Sequence, residues 1–308
     1  MSDVVLAVDL GGTNMRMATV CRDGTIIQQV KHPTPKPCTP EALIGQSGQM
    51  ADDCRVGLKP EMRVVGVAYG VPANVTFDGV LRRLPNLPLL EGHDLKSALV
   101  AKFGVPATIE NDATAAAIGE HWLGASKGVR DVIMITLGTG VGGGIILNGE
   151  PFHGADGTAG KLGHICVEPD GHPCGCGSHG CIEQYASATA IERMATEAGL
   201  ATTTSFEVYE AAEKGDERAR VVFKKMGTAL GLMLAGLINC LNPEMIVIGG
   251  GAATAWDAFI GHVTDEIAIR AFDEPAATAK IVRSTLGDDA GILGAARTAF
   301  LRGQNRKQ

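Results

Sequence analysis

The sequence predicts an α/β fold that is built twice along the chain. Apolar stretches rich in Val and Ile alternate with helical patterns, as is typical of sheets covered by helices. Two strand–turn–strand segments, VVLAVDLGGTNMRMATV and DVIMITLGTGVGGGIIL, carry glycine-rich turns at equivalent places in the two halves. This repetition indicates a duplicated domain. A chain of 308 residues is long enough for two domains with separate cores.

After the opening hairpin, the first half alternates helices and strands that are bounded by proline, glycine or polar caps. In chain order these are a proline-rich turn (30–40), a helix to about residue 53, a strand (64–73), a loop (85–88), a helix from about residue 94, a strand (105–112) and the alanine-rich helix ATAAAIGEHWLG.

The second half repeats the alternation after a hairpin that begins near residue 132. Its elements are a cysteine-rich loop through residue 183, helices over 188–199, 205–214 and 217–241, a strand in 245–253 that leads into a glycine-rich turn and a helix, the short strand KIVRSTL and a closing helix over 292–301. The apolar stretch 226–241 contains several glycines and is shorter than a bilayer span, so a buried helix is predicted there.

Composition restricts the partners and the compartment. The net charge of −7 argues against nucleic acid and anionic membranes as general partners. The N-terminus MSDVVLAVDL has no basic region or cleavage site, so we expect no secretory signal. Eight cysteines in such a chain predict a reducing, cytoplasmic environment and thiols that serve purposes other than disulfides.

The two glycine-rich turns are candidate phosphate-binding loops. The first contains Asp9-Leu-Gly-Gly-Thr13 and the second Thr136-Leu-Gly-Thr-Gly140. Glycine lets backbone N–H groups approach phosphate oxygens closely, and two such loops together predict a nucleotide site. Asp9 could hold a Mg²⁺-bound water, or it could be a buried acid bonded to loop N–H groups. Gly249-Gly250-Gly251 suits close approach of a flat or anionic ligand, although a plain turn fits equally well.

A cysteine-rich loop carries the ligand types that zinc prefers. Zn²⁺ takes four nitrogen or sulfur ligands in a tetrahedron, and this loop offers His164, Cys174, Cys176 and Cys181. The fourth ligand stays open at this stage, because His172 and His179 lie closer to the cysteines in sequence. We therefore expect a structural zinc site with three thiolates.

Three further sites are candidates for substrate contact. Asn111-Asp112 stands where a strand ends and a helix begins, which is the edge where α/β folds bind ligands. Asp112 could accept the proton of a sugar hydroxyl, whereas the alternative is helix capping. Glu183 follows Cys181 closely, so a metal-held loop would aim its carboxylate; otherwise it is a surface acid. Asn86, between two prolines, is a substrate contact or a turn residue.

The chain resembles the ROK family (repressors, open reading frames, kinases) over nearly its whole length. The segments that carry the resemblance are DLGGTNMR, LPNLP, IENDATAAAIGE, TLGTGVGGGI, GTAGKLGH, CGCGSHGCIEQYAS and IVIGGG. The resemblance implies an actin-like, hexokinase-type fold of two domains around a cleft. Residues 1–112 with 292–308 would form the small domain, which carries the first phosphate loop and the sugar-binding edge. Residues 113–291 would form the large domain.

The resemblance also implies an activity. The expected reaction transfers the γ-phosphate of ATP, with Mg²⁺, to the 6-hydroxyl of a hexose. Glucose is the expected sugar, and allose, fructose, mannose or N-acetylmannosamine are the alternatives. A structural Zn²⁺ and a homodimer are implied as well. A repressor of the same family would carry a DNA-binding domain before the first glycine loop, and Asp9 stands too near the start to allow one.

The resemblance also implies a role for each residue that stands at a functional position of the family. Asp112 matches the general base, Asn111 its sugar-binding neighbour, and His164 and Glu183 sugar contacts, with Asn86 in the matching segment LPNLP. The other matches are the zinc ligands His164, Cys174, Cys176 and Cys181, the first phosphate loop Asp9, Gly11, Gly12, Thr13 and Asn14, the second phosphate loop Gly138, Thr139 and Gly140, and the adenosine site Gly249, Gly250 and Gly251.

One position departs from the family pattern. The family has Glu-x-Gly-His where this chain has Lys161-Leu-Gly-His164, so a cation replaces a carboxylate among the expected substrate contacts. The departure leaves two interpretations, a kinase with altered sugar affinity and a sugar-binding relic without catalysis. GVPA at 70–73 also replaces the usual Gly-x-Pro-Gly, which changes only a turn.

Overall fold

A computed structural model describes residues 2–201 and 204–305. The strands are β1 (Ser2–Leu10), β2 (Asn14–Cys21), β3 (Ile26–Pro33), β4 (Met62–Val71), β5 (Asn74–Val75), β6 (Leu81–Arg82), β7 (Ala107–Asn111), β8 (Val132–Leu137), β9 (Val141–Leu147), β10 (Glu150–Pro151), β11 (Met245–Gly249) and β12 (Lys280–Arg283). The helices are α1 (Pro40–Arg55), α2 (Leu95–Phe103), α3 (Asp112–Leu123), α4 (Glu183–Ala186), α5 (Ala188–Glu197), α6 (Ser205–Glu213), α7 (Glu217–Leu241), α8 (Trp256–Arg270), α9 (Asp273–Thr278) and α10 (Ala290–Asn305).

Two five-stranded sheets share one topology. The first has the strand order β3-β2-β1-β4-β7 and the second β10-β9-β8-β11-β12. In each, an antiparallel hairpin (β1/β2 or β8/β9) is followed by two strands that pair in parallel on its other side. The predicted α/β fold and its duplication are therefore confirmed, and each glycine-rich turn joins the two strands of its hairpin.

The chain divides into two compact units. Unit 1 comprises Met1–Gly128, Pro151–Gly160 and Asp288–Gln308, and unit 2 comprises Val129–Glu150 and Lys161–Gly287. These bounds differ from the domains expected from the sequence, which ended at 112 and resumed at 292. The reason is that α3 packs along α10 in unit 1. At their crossing, a Cβ on Gly119 would lie 2.1 Å from the carbonyl oxygen of Ala290, so only glycine permits this approach.

Each unit has its own apolar core. In unit 1, α10 packs against β1, β4 and α3, while α1 and α2 pack against the strands β2, β3 and β7. In unit 2, α7 is central and buries Phe223, Met226 and Leu230 completely. Among the described residues, α7 alone has the length and apolarity to cross a membrane, and 61% of its apolar window is buried inside the protein. That burial is what the sequence predicted for 226–241.

Most predicted elements are present, and one boundary is wrong. The predicted helices over 188–199, 205–214 and 217–241 correspond to α5, α6 and α7, and the side chains of Ser187, Thr204 and Asp216 cap their first turns. The proline-rich turn predicted to start at residue 30 begins later. Residues 30–33 belong to β3, which pairs with β2 through Val30 and Met17.

Candidate functional site

The first glycine loop joins β1 to β2 in unit 1. The Gly11 N–H donates to the Asn14 carbonyl (2.9 Å) and closes the turn. The Thr34 hydroxyl donates to the carbonyl of Gly11 (2.7 Å), and the Thr34 N–H donates to that of Thr13 (2.9 Å). Two carbonyls of the loop are thus already bonded within unit 1, while the Thr13 and Asn14 side chains are exposed. Such a loop can bind an anion.

Asp9 precedes this loop and is ion-paired. Its Oδ2 accepts a hydrogen bond from Arg16 Nη2 at 2.7 Å, and the same nitrogen donates to the Asp288 carbonyl at 2.7 Å. Asp9 and Arg16 are directly paired in the β1/β2 register. The Asp9 carboxylate therefore pairs with a cation, and it stays about one quarter exposed. Sequence reasoning missed Arg16, although it stands as far after the turn as Asp9 stands before it.

Asn111 and Asp112 lie at the same edge of the sheet. In the register of β1, β4 and β7, Asp9 pairs with Gly70 and Gly70 with Glu110, so Asn111-Asp112 follows the row that contains Asp9. Asn111 Oδ1 accepts from the Thr114 N–H (3.1 Å) and caps α3. Its Nδ2 donates to Asp112 Oδ1 at 2.9 Å, so the cap also fixes the neighbouring carboxylate.

The loop that contains Asn86 reaches the first glycine loop. A Cβ built on Gly12 would lie 3.2 Å from the Cβ of Asn86. The Asn86 side chain is exposed there. Unit 1 therefore brings the first loop, Asn86 and the Asn111-Asp112 pair to one end of its sheet.

The second glycine loop repeats the first in unit 2. The Gly138 N–H donates to the Gly140 carbonyl at 2.9 Å, which matches the closing bond of the first loop. The start of α5 holds this loop: the Ala188 N–H donates to the Gly138 carbonyl (2.8 Å) and the Thr189 hydroxyl to that of Thr139 (2.9 Å). Two carbonyls of this loop are therefore already bonded, as in the first loop, and a glycine-rich loop of this kind can bind an anion.

The glycine triplet after β11 packs on this second loop. Gly250 has φ +90°, and a Cβ there would lie 2.4 Å from the Leu137 carbonyl oxygen. Gly251 has open space around it, next to a cavity of about 450 Å³. Lining residues of the cavity include Gly138, Thr139, Ser205, Phe206, Gly251 and Thr254. Its size is in the range of small-molecule sites, and sequence reasoning missed Ser205 and Phe206 because α6 carries no motif.

The cysteine loop brings its four predicted ligands together. The ligand atoms of His164, Cys174, Cys176 and Cys181 all lie within 4.8 Å of one another. Cys174 Sγ is 3.7 Å from His164 Nδ1, and Cys176 Sγ is 3.6 Å from Cys181 Sγ. Ligand atoms of a tetrahedral zinc site with thiolates are about 3.8 Å apart, so the donor set fits Zn²⁺.

The two alternative histidines lie outside that group. His172 Nδ1 is 3.1 Å from the Pro173 carbonyl oxygen, and the backbone N–H of His172 donates to the Tyr185 hydroxyl. His179 pairs with Pro173 through a backbone bridge and is exposed. The geometry thus favours His164 as the fourth ligand.

Glu183 connects the cysteine loop to the second glycine loop. It begins α4 and is half-buried. Its Oε2 accepts from the Val141 N–H at 3.0 Å, and its Oε1 lies 3.9 Å from Cys174 Sγ. Gly140 leaves room for this carboxylate, since a Cβ there would lie 2.4 Å from Oε2. Glu183 is therefore a fixed group rather than a free surface acid.

Lys161 is placed just before the 3₁₀ turn Leu162–His164. Its carbonyl accepts from the His164 N–H at 3.1 Å, and its side chain is half-buried. Lys161 is thus linked through the backbone to one of the predicted zinc ligands.

Comparison with known proteins identifies the family. The family model described as "ROK family" matches residues 5–300. A glucokinase from Halalkalibacterium halodurans is 38% identical, over 94% of this chain and 92% of its own. A ROK hexokinase structure from Thermus thermophilus superimposes with a TM-score of 0.85 at 31% identity, over 98% of this chain and 99% of that one. A ROK glucokinase from Streptomyces griseus, crystallised with glucose and AMPPNP, gives 0.81 at 32% identity, over 97% and 99%. These matches cover both units and bring with them the actin-like, hexokinase-type fold, and the chain belongs to the ROK family.

Proposed function

We propose that the protein is an ATP-dependent hexose kinase that phosphorylates the 6-hydroxyl of glucose. The observation that carries the proposal is the Asn111-Asp112 pair at the same sheet edge as the first glycine loop. The full-length similarity to glucokinases, one of them a complex with glucose and AMPPNP, supports glucose as the acceptor.

Asp112 is proposed as the general base. Its carboxylate takes the proton of the 6-hydroxyl as that oxygen attacks the γ-phosphorus, and the bond to the β-phosphate oxygen breaks to release ADP. Asn111 holds the carboxylate by its 2.9 Å bond and shares the sugar contact. Asn86, His164 and Glu183 are proposed to bind the other hydroxyls.

The nucleotide would be held by the loops described above. The first loop (Asp9, Gly11 to Asn14) and the second (Gly138 to Gly140) would bind phosphates through backbone N–H groups. The cavity beside Gly249 to Gly251 would take the adenosine, with Phe206 in its wall. Mg²⁺ would neutralise phosphate charge. Asp9 is the candidate for a water-mediated contact to it, because its carboxylate is partly exposed and already faces one cation, Arg16.

Zinc is proposed as a structural ion held by His164, Cys174, Cys176 and Cys181. It would fix the loop that carries His164 and Glu183, and it takes no part in the chemistry. The eight free thiols of the chain agree with a reducing compartment, which supports the proposed cytoplasmic location. A homodimer remains a prediction, which light scattering of the purified protein tests.

An ADP-release assay against a panel of hexoses tests the activity. We expect ATP-dependent turnover, fastest with glucose, and slower turnover with mannose, fructose, allose or N-acetylmannosamine. Lys161 could shift that order, because an ammonium donates but cannot accept hydrogen bonds from sugar hydroxyls. Sugar binding by calorimetry without turnover on any of them would instead favour the non-catalytic interpretation.

A further inference from the structure

One excursion of the chain carries a partly buried histidine–carboxylate pair that the proposed chemistry does not use. The chain leaves unit 2 after Glu150, joins unit 1 over Pro151–Gly160 and returns at Lys161. Within unit 1, His153 Nε2 of this segment lies 2.8 Å from Glu110 Oε2. The ring of Phe77 meets the imidazole edge-on, with centroids 6.3 Å apart.

The segment lies on unit 1 at a second point as well. Gly157 has φ +97°, and a Cβ there would lie 2.7 Å from the Val75 carbonyl oxygen in the β5/β6 hairpin. The backbone of the segment therefore touches the hairpin directly, and His153 supplies its polar anchor. No other residue type fits at position 157 without moving the two apart.

Glu110 connects His153 to the proposed base, Asp112, through hydrogen bonds. Its side chain is only 5% exposed, so the carboxylate needs partners within the protein. One oxygen faces His153, and the other accepts the Asn111 N–H at 3.0 Å. Asn111 in turn donates from Nδ2 to Asp112 Oδ1 at 2.9 Å. A continuous chain of hydrogen bonds thus runs from His153 to Asp112.

We propose that His153 and Glu110 are positioning residues for phosphoryl transfer, in that their ion pair fixes the Asn111-Asp112 turn through the Asn111 N–H. The inference rests on the proposed kinase function and adds two residues to it. Removing the imidazole leaves a buried carboxylate with its second oxygen unpaired. We expect the Glu110 side chain to rotate so that this oxygen is hydrated, and the Asn111 backbone, which is bonded to the same carboxylate, to shift with it.

The charge state agrees with this role. The hydrogen bond that His153 donates to Glu110 raises the pKa of His153, while burial and the positive charge of Arg302 act in the opposite direction. Glu110 from β7 and Arg302 from α10 are the charged groups that act on the imidazole, with the Pro151 carbonyl as a further acceptor.

The test compares His153→Ala with His153→Gln, whose amide keeps a donor for Glu110. His32→Ala is the matched control, because His32 also pairs with a carboxylate in unit 1, Asp53 at 3.4 Å, on elements that do not carry Asn111. We expect His153→Ala to lower kcat for glucose about 10- to 100-fold, with the KM for ATP unchanged. His153→Gln and His32→Ala should stay within a few-fold of wild type.

Amide hydrogen exchange gives a readout that does not depend on turnover. In His153→Ala, the amides of Asn111, Ala113 and Thr114 and of segment 154–160 should exchange faster than in the wild type or His32→Ala. A normal kcat in His153→Ala overturns the inference, even if the melting temperature of the variant falls, because His153 then has only a structural role. If the wild type turns over no sugar, the proposed function fails, and unchanged exchange at Asn111 would separately refute the relay. Should His153→Ala not fold, His153→Leu, which also lacks a donor for Glu110, replaces it with the same expected outcomes.

Discussion

Gly140→Ala isolates the link between the second glycine loop and Glu183. The new methyl carbon would lie 2.4 Å from Glu183 Oε2, whereas carbon–oxygen contacts are about 3.3 Å or longer. Because Oε2 is the far end of a flexible side chain, the carboxylate rather than the backbone moves, by about 1 Å. That shift stretches its 3.0 Å bond from the Val141 N–H beyond hydrogen-bonding distance.

The size of the effect on KM follows from the bond that the displaced Glu183 would no longer make to the sugar. A hydrogen bond to a charged group contributes about 1.5–3 kcal/mol, and each 1.4 kcal/mol is about a factor of ten. If Glu183 binds a sugar hydroxyl from its present position, KM for glucose should rise about 10- to 100-fold. Thermal stability should fall as well, because the Val141 N–H loses its charged acceptor.

Gly138→Ala is the matched control in the same loop. Its Cβ would meet only the Gly140 carbonyl oxygen, at 4.0 Å, and neither glycine needs a positive φ. Both variants are assayed by ADP release over a range of glucose concentrations at saturating ATP. Gly138→Ala should keep the wild-type KM for glucose. An unchanged KM for glucose in Gly140→Ala would refute the role of Glu183 as a sugar contact.

Four further outcomes are expected. Asp112→Asn should lower kcat by about 10²–10⁴ while calorimetry still shows sugar binding, and near-normal turnover would remove Asp112 as the base. Elemental analysis should find one zinc per chain. Cys181→Ser should lose the zinc and with it stability and sugar affinity, because the metal holds the loop of His164 and Glu183 in place. Metal-free protein with full activity would contradict the proposed zinc site. Lys161→Glu should lower the KM for glucose, unless the lysine suits a different natural sugar. The pKa of His153 is raised in the folded state, so its contribution to stability is full below about pH 6.5 and is lost as the pH rises through that higher pKa. The difference in unfolding free energy between wild type and His153→Gln, measured in urea, should shrink from about pH 6 to about pH 9.

The sequence predicted those parts of the fold and site that depend on local pattern. Glycine between apolar strands is enough to place both loops, because tight turns need it in a short and recognisable stretch. The candidate zinc ligands were predicted for the same reason: Cys174, Cys176 and Cys181 lie on one loop, and their spacing is visible in the chain. The end of a predicted strand marked Asn111-Asp112 as a candidate ligand edge, because α/β folds bind ligands where their strands end.

The contacts that the sequence did not predict join residues far apart in the chain. Glu110 and His153 meet only because the segment 151–160 returns to unit 1. No periodic pattern in the sequence predicts that the chain crosses between the units at this point. The unit boundary likewise lies beyond residue 112, because α3 packs on α10 and so belongs to unit 1. The sequence shows where α3 begins, but it does not show which unit the helix packs against. Side-chain partners of this kind require the tertiary structure.

Glu183 shows why these two kinds of information are needed together. By sequence it is an acid after a metal loop, and a mobile carboxylate in water would be an equally good description. In the structure it accepts a hydrogen bond from the residue that follows the second glycine loop and lies beside a zinc ligand, Cys174. A proposed sugar contact, the proposed zinc site and the proposed phosphate loop therefore share one side chain within unit 2. A displacement of the phosphate loop is transmitted to the sugar contact through a single hydrogen bond, so sugar affinity and nucleotide binding are expected to be coupled in this protein.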